Sequence, residues 1–288
     1  MTNQIIDPNV GRGLSNIGRL LLEMGKITPE DTERILRKQK EGGVKFGDAA
    51  KQLGLITEDD IQLVLSQQFD YGYLPSSNTQ YSQDLIAAYK PFSTQVEGFR
   101  ALRSQLLFRW LNEGFKAISV TAANSNEGCS YLAANLAVVF SQLGKKTLLI
   151  DGNMRNPRQH TLFNLKSTYG LSDILADRTP GTEALFNVPD LPYLTVLGAG
   201  TIPPNPQELI GRNNFAQLIK YASSMFEVII VDTPALNISS DAQMFAATTR
   251  GVVLTARLNY TSVSEIDDAK SQIQSTGANV IGAVINSF

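Results

Sequence analysis

Three short stretches hold residues that could bind a phosphorylated ligand and act on it. The first is Ile118–Ser130, ISVTAANSNEGCS. Four apolar or β-branched residues predict a buried strand, a polar glycine-containing loop follows, and Tyr131–Gly144, YLAANLAVVFSQLG, predicts a helix. Strand, phosphate-sized loop and helix form the context in which a Walker A motif is credible. Successive backbone N–H groups at a helix N-terminus then cradle an anion. The motif asks for Gly or Ala, four residues, then Gly-Lys-Ser/Thr. Ala123, Gly128 and Ser130 fit, but Cys129 stands where the lysine belongs. The candidate nucleotide contacts are Asn126, Glu127, Gly128, Cys129 and Ser130, with ATP or ADP as the ligand.

The second stretch is an apolar strand, Lys145–Ile150, that runs into DGNMRNPRQH. It delivers Asp151 to the C-terminal edge of the sheet, where open α/β folds bind ligands. The third is VIIVD, Val228–Asp232, followed by Thr233-Pro234; it has the form of a Walker B segment. Ser130, Asp151 and Asp232 make a candidate Mg2+ set, and the two aspartates would carry any catalysis. A loop lysine is one of the recurring parts of phosphoryl transfer. By analogy with other charge-stabilising groups, its loss costs on the order of 3–4 kcal/mol of transition-state stabilisation. Arg155 is the best local replacement; Lys145 and Lys146 fall at the far end of the helix. Cys129 reads as a drifted position without thiol chemistry, and His160 as a structural residue with no orienting partner nearby.

Further strands at Leu194–Leu197, Val252–Thr255 and Val280–Ile285 complete a βα alternation that favours a parallel sheet. Ala199–Leu209 reads as a loop feeding a helix near Asn205. Upstream, Ser93 or Thr94 caps a predicted helix running to about Leu111, with Glu97, Arg100 and Arg103 at steps of three on one face. Asp70–Gln83 is rich in Tyr, Ser, Asn, Gly and Pro and reads as a linker, followed by the apolar patch Leu85–Tyr89.

The N-terminal part is a repeat. Ile17–Gln39 and Phe46–Gln68 align with an offset of 29 residues, pairing Gly18 with Gly47, Gly25 with Gly54, and Thr28 with Thr57. In each copy a short helix ends at a glycine suited to a left-handed cap. Thr28 and Thr57 then start a second helix, with Asp31 and Asp60 at the capping-box position and Pro29 at the first helical position. Two such pairs bury a common core. The domain boundaries read as 1–75 for the helical repeat, 76–92 for the linker and 93–288 for the α/β part.

Composition narrows the function. The net charge of −2 gives no footprint for nucleic acid. One cysteine excludes an internal disulfide framework and fits a reducing compartment, and with one histidine it cannot make a His/Cys zinc site. No apolar run is long enough to span a bilayer, and MTNQIIDPNVGRG lacks the pattern of a signal peptide. The expected location is cytoplasmic, with any membrane association through a partner.

The order of these pieces resembles the bacterial tyrosine kinases linked to exopolysaccharide chain length. The matching segments are EGFRALRSQLLF as a Glu-x-x-Arg-x-x-Arg helix, the degenerate Walker A loop, LLIDGNMRNP as a second Walker segment, NPQEL, VIIVDTP, Arg257 and VIGAVIN. With the N-terminal repeat, the chain is similar to EpsG-type soluble chain-length determinant kinases. The resemblance implies a P-loop NTPase-like α/β fold, a mostly parallel sheet with helices on both faces, preceded by a small all-α domain. It also implies a homo-oligomer joined through Glu97, Arg100 and Arg103, and a membrane chain-length determinant (polysaccharide co-polymerase) as partner. The sequence departs from the family at Cys129, at Ser125 and Asn126, and at Asn153 in place of a second carboxylate; no tyrosine follows Tyr260.

The expected function is therefore a kinase-like regulator of polysaccharide polymerisation or export with impaired transfer. An active tyrosine kinase and a ParA/MinD-like partitioning ATPase are the alternatives; the latter's early signature lysine is Asn124 here. The repeat resembles the N-terminal domain of type II secretion and type IV pilus ATPases, some of which bind cyclic di-GMP. That implies a cyclic di-GMP module at Gly18, Lys45 and Gly47, although Asn16 departs from the pattern and a glycine repeat is first a folding pattern.

Overall fold

A computed structural model describes residues 16–68, 72–179 and 181–287. The readings at residues 1–13, at Asp70 and at Phe288 lie outside the described residues. The chain divides into two compact units, Met1–Ser77 and Asn78–Phe288.

The first unit holds helices α1 (Asn16–Glu23), α2 (Pro29–Gly42), α3 (Phe46–Gln52) and α4 (Glu58–Gln68). The repeat is built as its sequence predicts. Gly25 and Gly54 both have φ of +67°, in the left-handed region that favours glycine. In the first copy Asp31 N donates to Thr28 Oγ1 and Thr28 N donates to Asp31 Oδ2, both at 3.1 Å. Thr57 and Asp60 repeat the box at 3.2 and 2.9 Å. Leu21, Ile35, Phe46, Ala49 and Val64 share one core. Gly18 is buried in α1, while Lys45 is exposed just ahead of α3. Gly47 lies where a Cβ would stand 3.0 Å from Ile61 Cδ1, so helix packing accounts for it.

The second unit opens with α5 (Ile86–Tyr89) and α6 (Thr94–Arg109), then β1 (Ala117–Ala122), α7 (Cys129–Ser141), β2 (Thr147–Asp151), α8 (Gln159–Leu162) and α9 (Leu171–Leu175). It continues with β3 (Leu185–Asn187), β4 (Leu194–Leu197), α10 (Pro206–Ile210), α11 (Asn214–Met225), β5 (Val228–Asp232), α12 (Asp241–Thr249), β6 (Gly251–Arg257), α13 (Val263–Ser275) and β7 (Asn279–Asn286). Among the described residues one sheet of seven strands has the order β3-β4-β2-β5-β1-β6-β7. All its pairings are parallel except β3 with β4, an antiparallel edge that the sequence reading did not include.

Strands β1, β2, β4 and β5 are buried along their full length, as expected when helices cover both faces of a parallel sheet. Leu148, Ile150, Ile229 and Val231 pack with residues of α9 to α12 in one cluster. Helix α7 lies against β1, β2, β4 and β5 and carries α5 and α6 on its outer side. It is therefore buried all round from Leu132 to Ser141, which explains its nearly continuous apolar sequence.

Residues 78–92, read from sequence as linker, belong to this second unit. The amide of Ala87 donates to Asn135 Oδ1 at 2.9 Å, Asn135 Nδ2 donates to Asp84 O at 2.9 Å, and Gln142 Nε2 donates to Ala87 O at 2.8 Å. Tyr89 is buried and donates to Tyr81 O at 3.1 Å. Two polar side chains on α7 thus satisfy backbone groups that would otherwise be buried without partners. We expect Asn135→Ala to lower unfolding free energy by about 2–4 kcal/mol, because it orphans a buried donor and acceptor together. Urea unfolding of the full chain measures the loss.

Candidate functional site

The site lies at the C-terminal edge of the three central strands β2, β5 and β1. The loop after β1 turns through two left-handed residues, Asn126 (φ 63°) and Gly128 (φ 89°), into α7. Between them the Glu127 carboxylate is buried. It accepts from Asn124 N at 3.1 Å, from Asn124 Nδ2 at 3.2 Å and from the Thr261 hydroxyl. Glu127 O accepts from Asn286 Nδ2 at 2.7 Å. The side chain of Glu127 therefore shapes the loop, and what it offers a nucleotide is its amide. Among the described residues, the amides of Asn126 to Ser130 donate to no backbone carbonyl in a turn, loop or cap, as a phosphate cradle requires.

The in-register pairing of β2 with β5 sets Asp151 beside Asp232, both fully buried. Asp151 accepts from the amides of Asn153 (3.2 Å), Arg158 (3.0 Å) and Gln159 (2.9 Å). Asp232 accepts from Gln159 Nε2 at 2.8 Å and from the Ser130 hydroxyl. Burial pushes both carboxyls up: Asp151 well above the usual range, with the neighbouring Asp232 charge adding to the effect, and Asp232 to about 6. Hydrogen bonds from Gln159 and Ser130, and the Arg158 charge, partly offset the rise at Asp232. Gly152 closes the pair: its amide donates to Asp232 O at 2.8 Å, and a Cβ there would stand 2.7 Å from that oxygen.

These residues fit Mg2+. Asp232 Oδ1 is buried with no hydrogen-bond partner, and Gln159 Oε1 is in the same state. Ser130 and two carboxylates match an ion that takes few protein ligands and completes its shell with water and phosphate. Among the described residues no group of three or more His, Cys, Asp and Glu converges, so the set is completed by the serine. Asn153 does not join it; its Oδ1 accepts from Asn156 N at 3.1 Å and braces the turn.

Cys129 Sγ lies 3.2 Å from Thr255 Oγ1, and burial holds the thiol well above its usual range. The position is neutral, with neither a cation nor a thiolate. Arg155, expected as the replacement cation, lines the cavity beside the loop, but its Nε and Nη2 reach the buried Asp241 carboxylate at 2.8 and 3.2 Å. Its fork is committed to the fold. Sequence reasoning missed three residues: Gln159, Arg158 and Asp241. The first two stand in the quoted DGNMRNPRQH stretch, where polar residues just after a strand-end aspartate were a usable signal. Asp241 comes nine residues after Asp232, and nothing local marked it as the Arg155 partner. The cavity measures about 340 Å³ and reaches from the loop to Asp84, Tyr131, Leu162 and Ile238. His160 stays outside it, its ring 3.2 Å from Thr161 Oγ1. On α6, Arg100 pairs with Glu97, and Arg103 Nη1 donates to Val139 O at 2.6 Å near the end of α7.

Comparison with known proteins agrees with this geometry. The protein named putative tyrosine-protein kinase CapB of Staphylococcus aureus is 38% identical over 197 residues, covering 68% of this chain and 86% of that protein. The chain belongs to the bacterial tyrosine kinase family. Tyrosine-protein kinase YwqD of Bacillus subtilis is 34% identical over 208 residues, covering 72% of this chain and 87% of that protein. The crystal structure of the chimerical protein CapA2B2 superposes with a TM-score of 0.67 at 35% identity, covering 80% of this chain and 98% of that one. No family model matches the chain. Membership sets the tyrosine-kinase reading ahead of the partitioning-ATPase alternative. The likenesses give no support to cyclic di-GMP at Gly18, Lys45 and Gly47.

The raised Asp232 carboxyl has a stability consequence. A carboxylate whose folded pKa exceeds its unfolded value favours the folded state below about pH 4 and loses that contribution as pH rises through about 6. Asp232→Asn removes the charge and leaves an oxygen for Gln159. In thermal melts without ligand it should stabilise the protein by roughly 1–3 kcal/mol at pH 7.5 and by little near pH 4, while Mg2+ with ATP no longer shifts the melting temperature.

Proposed function

We propose that the protein is a kinase-like regulator of exopolysaccharide chain length, polymerisation or export, which binds ATP or ADP with Mg2+ and transfers the phosphoryl group slowly. The observation that carries this reading is Cys129: a neutral thiol against Thr255 where the family's loop has a lysine. Ser130, Asp151, Asp232 and the loop amides remain to hold the metal and the phosphates. When bound, the metal would neutralise phosphate charge and orient the terminal phosphoryl group. The charge that stabilises the departing phosphate is missing from the loop.

In this reading the protein acts at the cytoplasmic face of the membrane by docking on a membrane chain-length determinant, and it assembles with copies of itself through α6. No helix among the described residues is long and apolar enough to cross a membrane. Glu97 is the part of the α6 face open to a neighbour; Arg100, which pairs with it, and Arg103, which reaches α7, are half-buried and would support that face from behind.

Restoring the lysine tests the proposal. Cys129→Lys should raise ATP hydrolysis and phosphotyrosine formation by about 10²–10³-fold, the scale of one preorganised charge-stabilising donor. Wild-type rates equal to those of the variant would show that transfer is not impaired. The assembly has its own test: Arg100→Glu should move the protein from oligomer to monomer in sedimentation velocity, and an unchanged distribution would remove α6 from the interface.

A further inference from the structure

The loop lacks its lysine, yet the cavity it opens onto must accept a polyanion. Its described lining holds two carboxylates, Asp84 and Glu127, together with Ser130 of the candidate metal set. Against these stand two lining cations, Arg155 and Arg158. Arg155 is neutralised by its two hydrogen bonds to Asp241. Arg158 is exposed, and among the described residues no carboxylate lies within ion-pair distance of it.

The backbone at Arg158 is fixed where a phosphate-binding cation would be useful. Its amide donates to Asp151 Oδ2 at 3.0 Å, and the next residue, Gln159, bonds Asp151 through its amide and both Asp232 and Ser130 O through its side chain. The turn between β2 and α8 is thereby tied to both strand-end carboxylates and to the first turn of α7. Arg158 lines the same cavity as Ser130 and the loop residues Asn126 to Cys129. We propose that Arg158 binds the terminal phosphates of the nucleotide and supplies, from the turn after β2, the positive charge that the loop lacks at Cys129. A guanidinium suits that task, since its planar fork can hold two phosphate oxygens at once. Its charge comes from a different wall of the cavity from that of a loop lysine, so it strengthens binding without restoring the geometry of transfer.

The inference rests on the nucleotide-binding reading above, and one calorimetric series separates the two. MgATP, MgADP and AMP are titrated into the full-length protein and into Arg158→Ala, Arg158→Lys, Arg155→Ala, Cys129→Lys and the Cys129→Lys/Arg158→Ala double variant. Arg158→Ala should weaken MgATP by about tenfold or more and leave AMP within about twofold, and Arg158→Lys should keep most of the affinity. In the Cys129→Lys background the Arg158→Ala effect should shrink to less than about threefold, because the lysine then carries the charge. The ligand-free melting temperature should not move, which a merely structural role would not allow. If Arg158→Ala misfolds, Arg158→Gln takes its place. Wild-type binding with an Arg158→Ala affinity within about twofold overturns this inference alone, the more so if Arg155→Ala weakens binding instead. No heat from wild type with millimolar MgATP overturns both readings.

Discussion

Parallel pairing of β2 with β5 places Asp151 and Asp232 side by side at the sheet edge, in a position closed to water. Much of the second unit is arranged around that juxtaposition. Two like charges without solvent resist joint ionisation. The neighbouring elements respond by pointing donors at them: three amides from the turn after β2, Gln159 from the start of α8, and Ser130 from the first turn of α7. Gly152 is required because the backbone of that turn passes too close to Asp232 O for any side chain. One carboxylate oxygen is still left without a donor. A divalent cation completes such a set better than any rearrangement of the protein does, since it removes the repulsion and fills the empty lone pairs together.

The loop over this pair is held from distant parts of the chain. Glu127 draws on Asn124 beside it, Thr261 after β6 and Asn286 at the end of β7. Asn124 in turn reaches Glu265 on α13 at 2.8 Å. The last strand and helix thus have a task beyond closing the sheet: they fix the shape of a loop more than a hundred residues earlier. On the other side, Asn135 and Gln142 bind the segment 78–92 to α7, so the cavity wall at Asp84 is anchored to the same helix whose N-terminus lines the cavity.

The larger features were legible because they repeat a local rule. The capping boxes at Thr28 and Thr57, the glycine turns at Gly25 and Gly54, and the apolar strands ending in Asp151 and Asp232 all follow from residues close together in sequence. What was missed depends on contacts far apart in sequence. The edge strand β3 is only three residues long, Leu185–Asn187, and has no periodicity to read. The stretch 76–92 has the composition of a linker, and only the polar side chains of α7 reveal that its later part is folded. Arg155 looked like a free cation because Asp241, its partner, lies 86 residues away. Gln159 was passed over because an amide carries no charge to attract attention, although its side chain donates to both Asp232 and the Ser130 carbonyl.

The same buried pair bears on whether the site is still in use. A fold that served only as architecture would gain from losing one of two adjacent buried carboxylates, since each raises the cost of ionising the other. Here both are present, with the serine, the unpaired oxygen and the open amides, in a chain whose loop has lost the one residue most tied to transfer. Groups suited to hold metal and phosphate in the ground state lie together, while Cys129 stands where a loop lysine would act on the charge developing during transfer. Binding and transfer make separable demands on a phosphate site: the first needs amides, metal and any well-placed cation, whereas the second needs charge at one particular point. On the proposed reading this chain meets the first demand and leaves the second unmet, as expected of a nucleotide site whose occupancy, rather than its turnover, is the output.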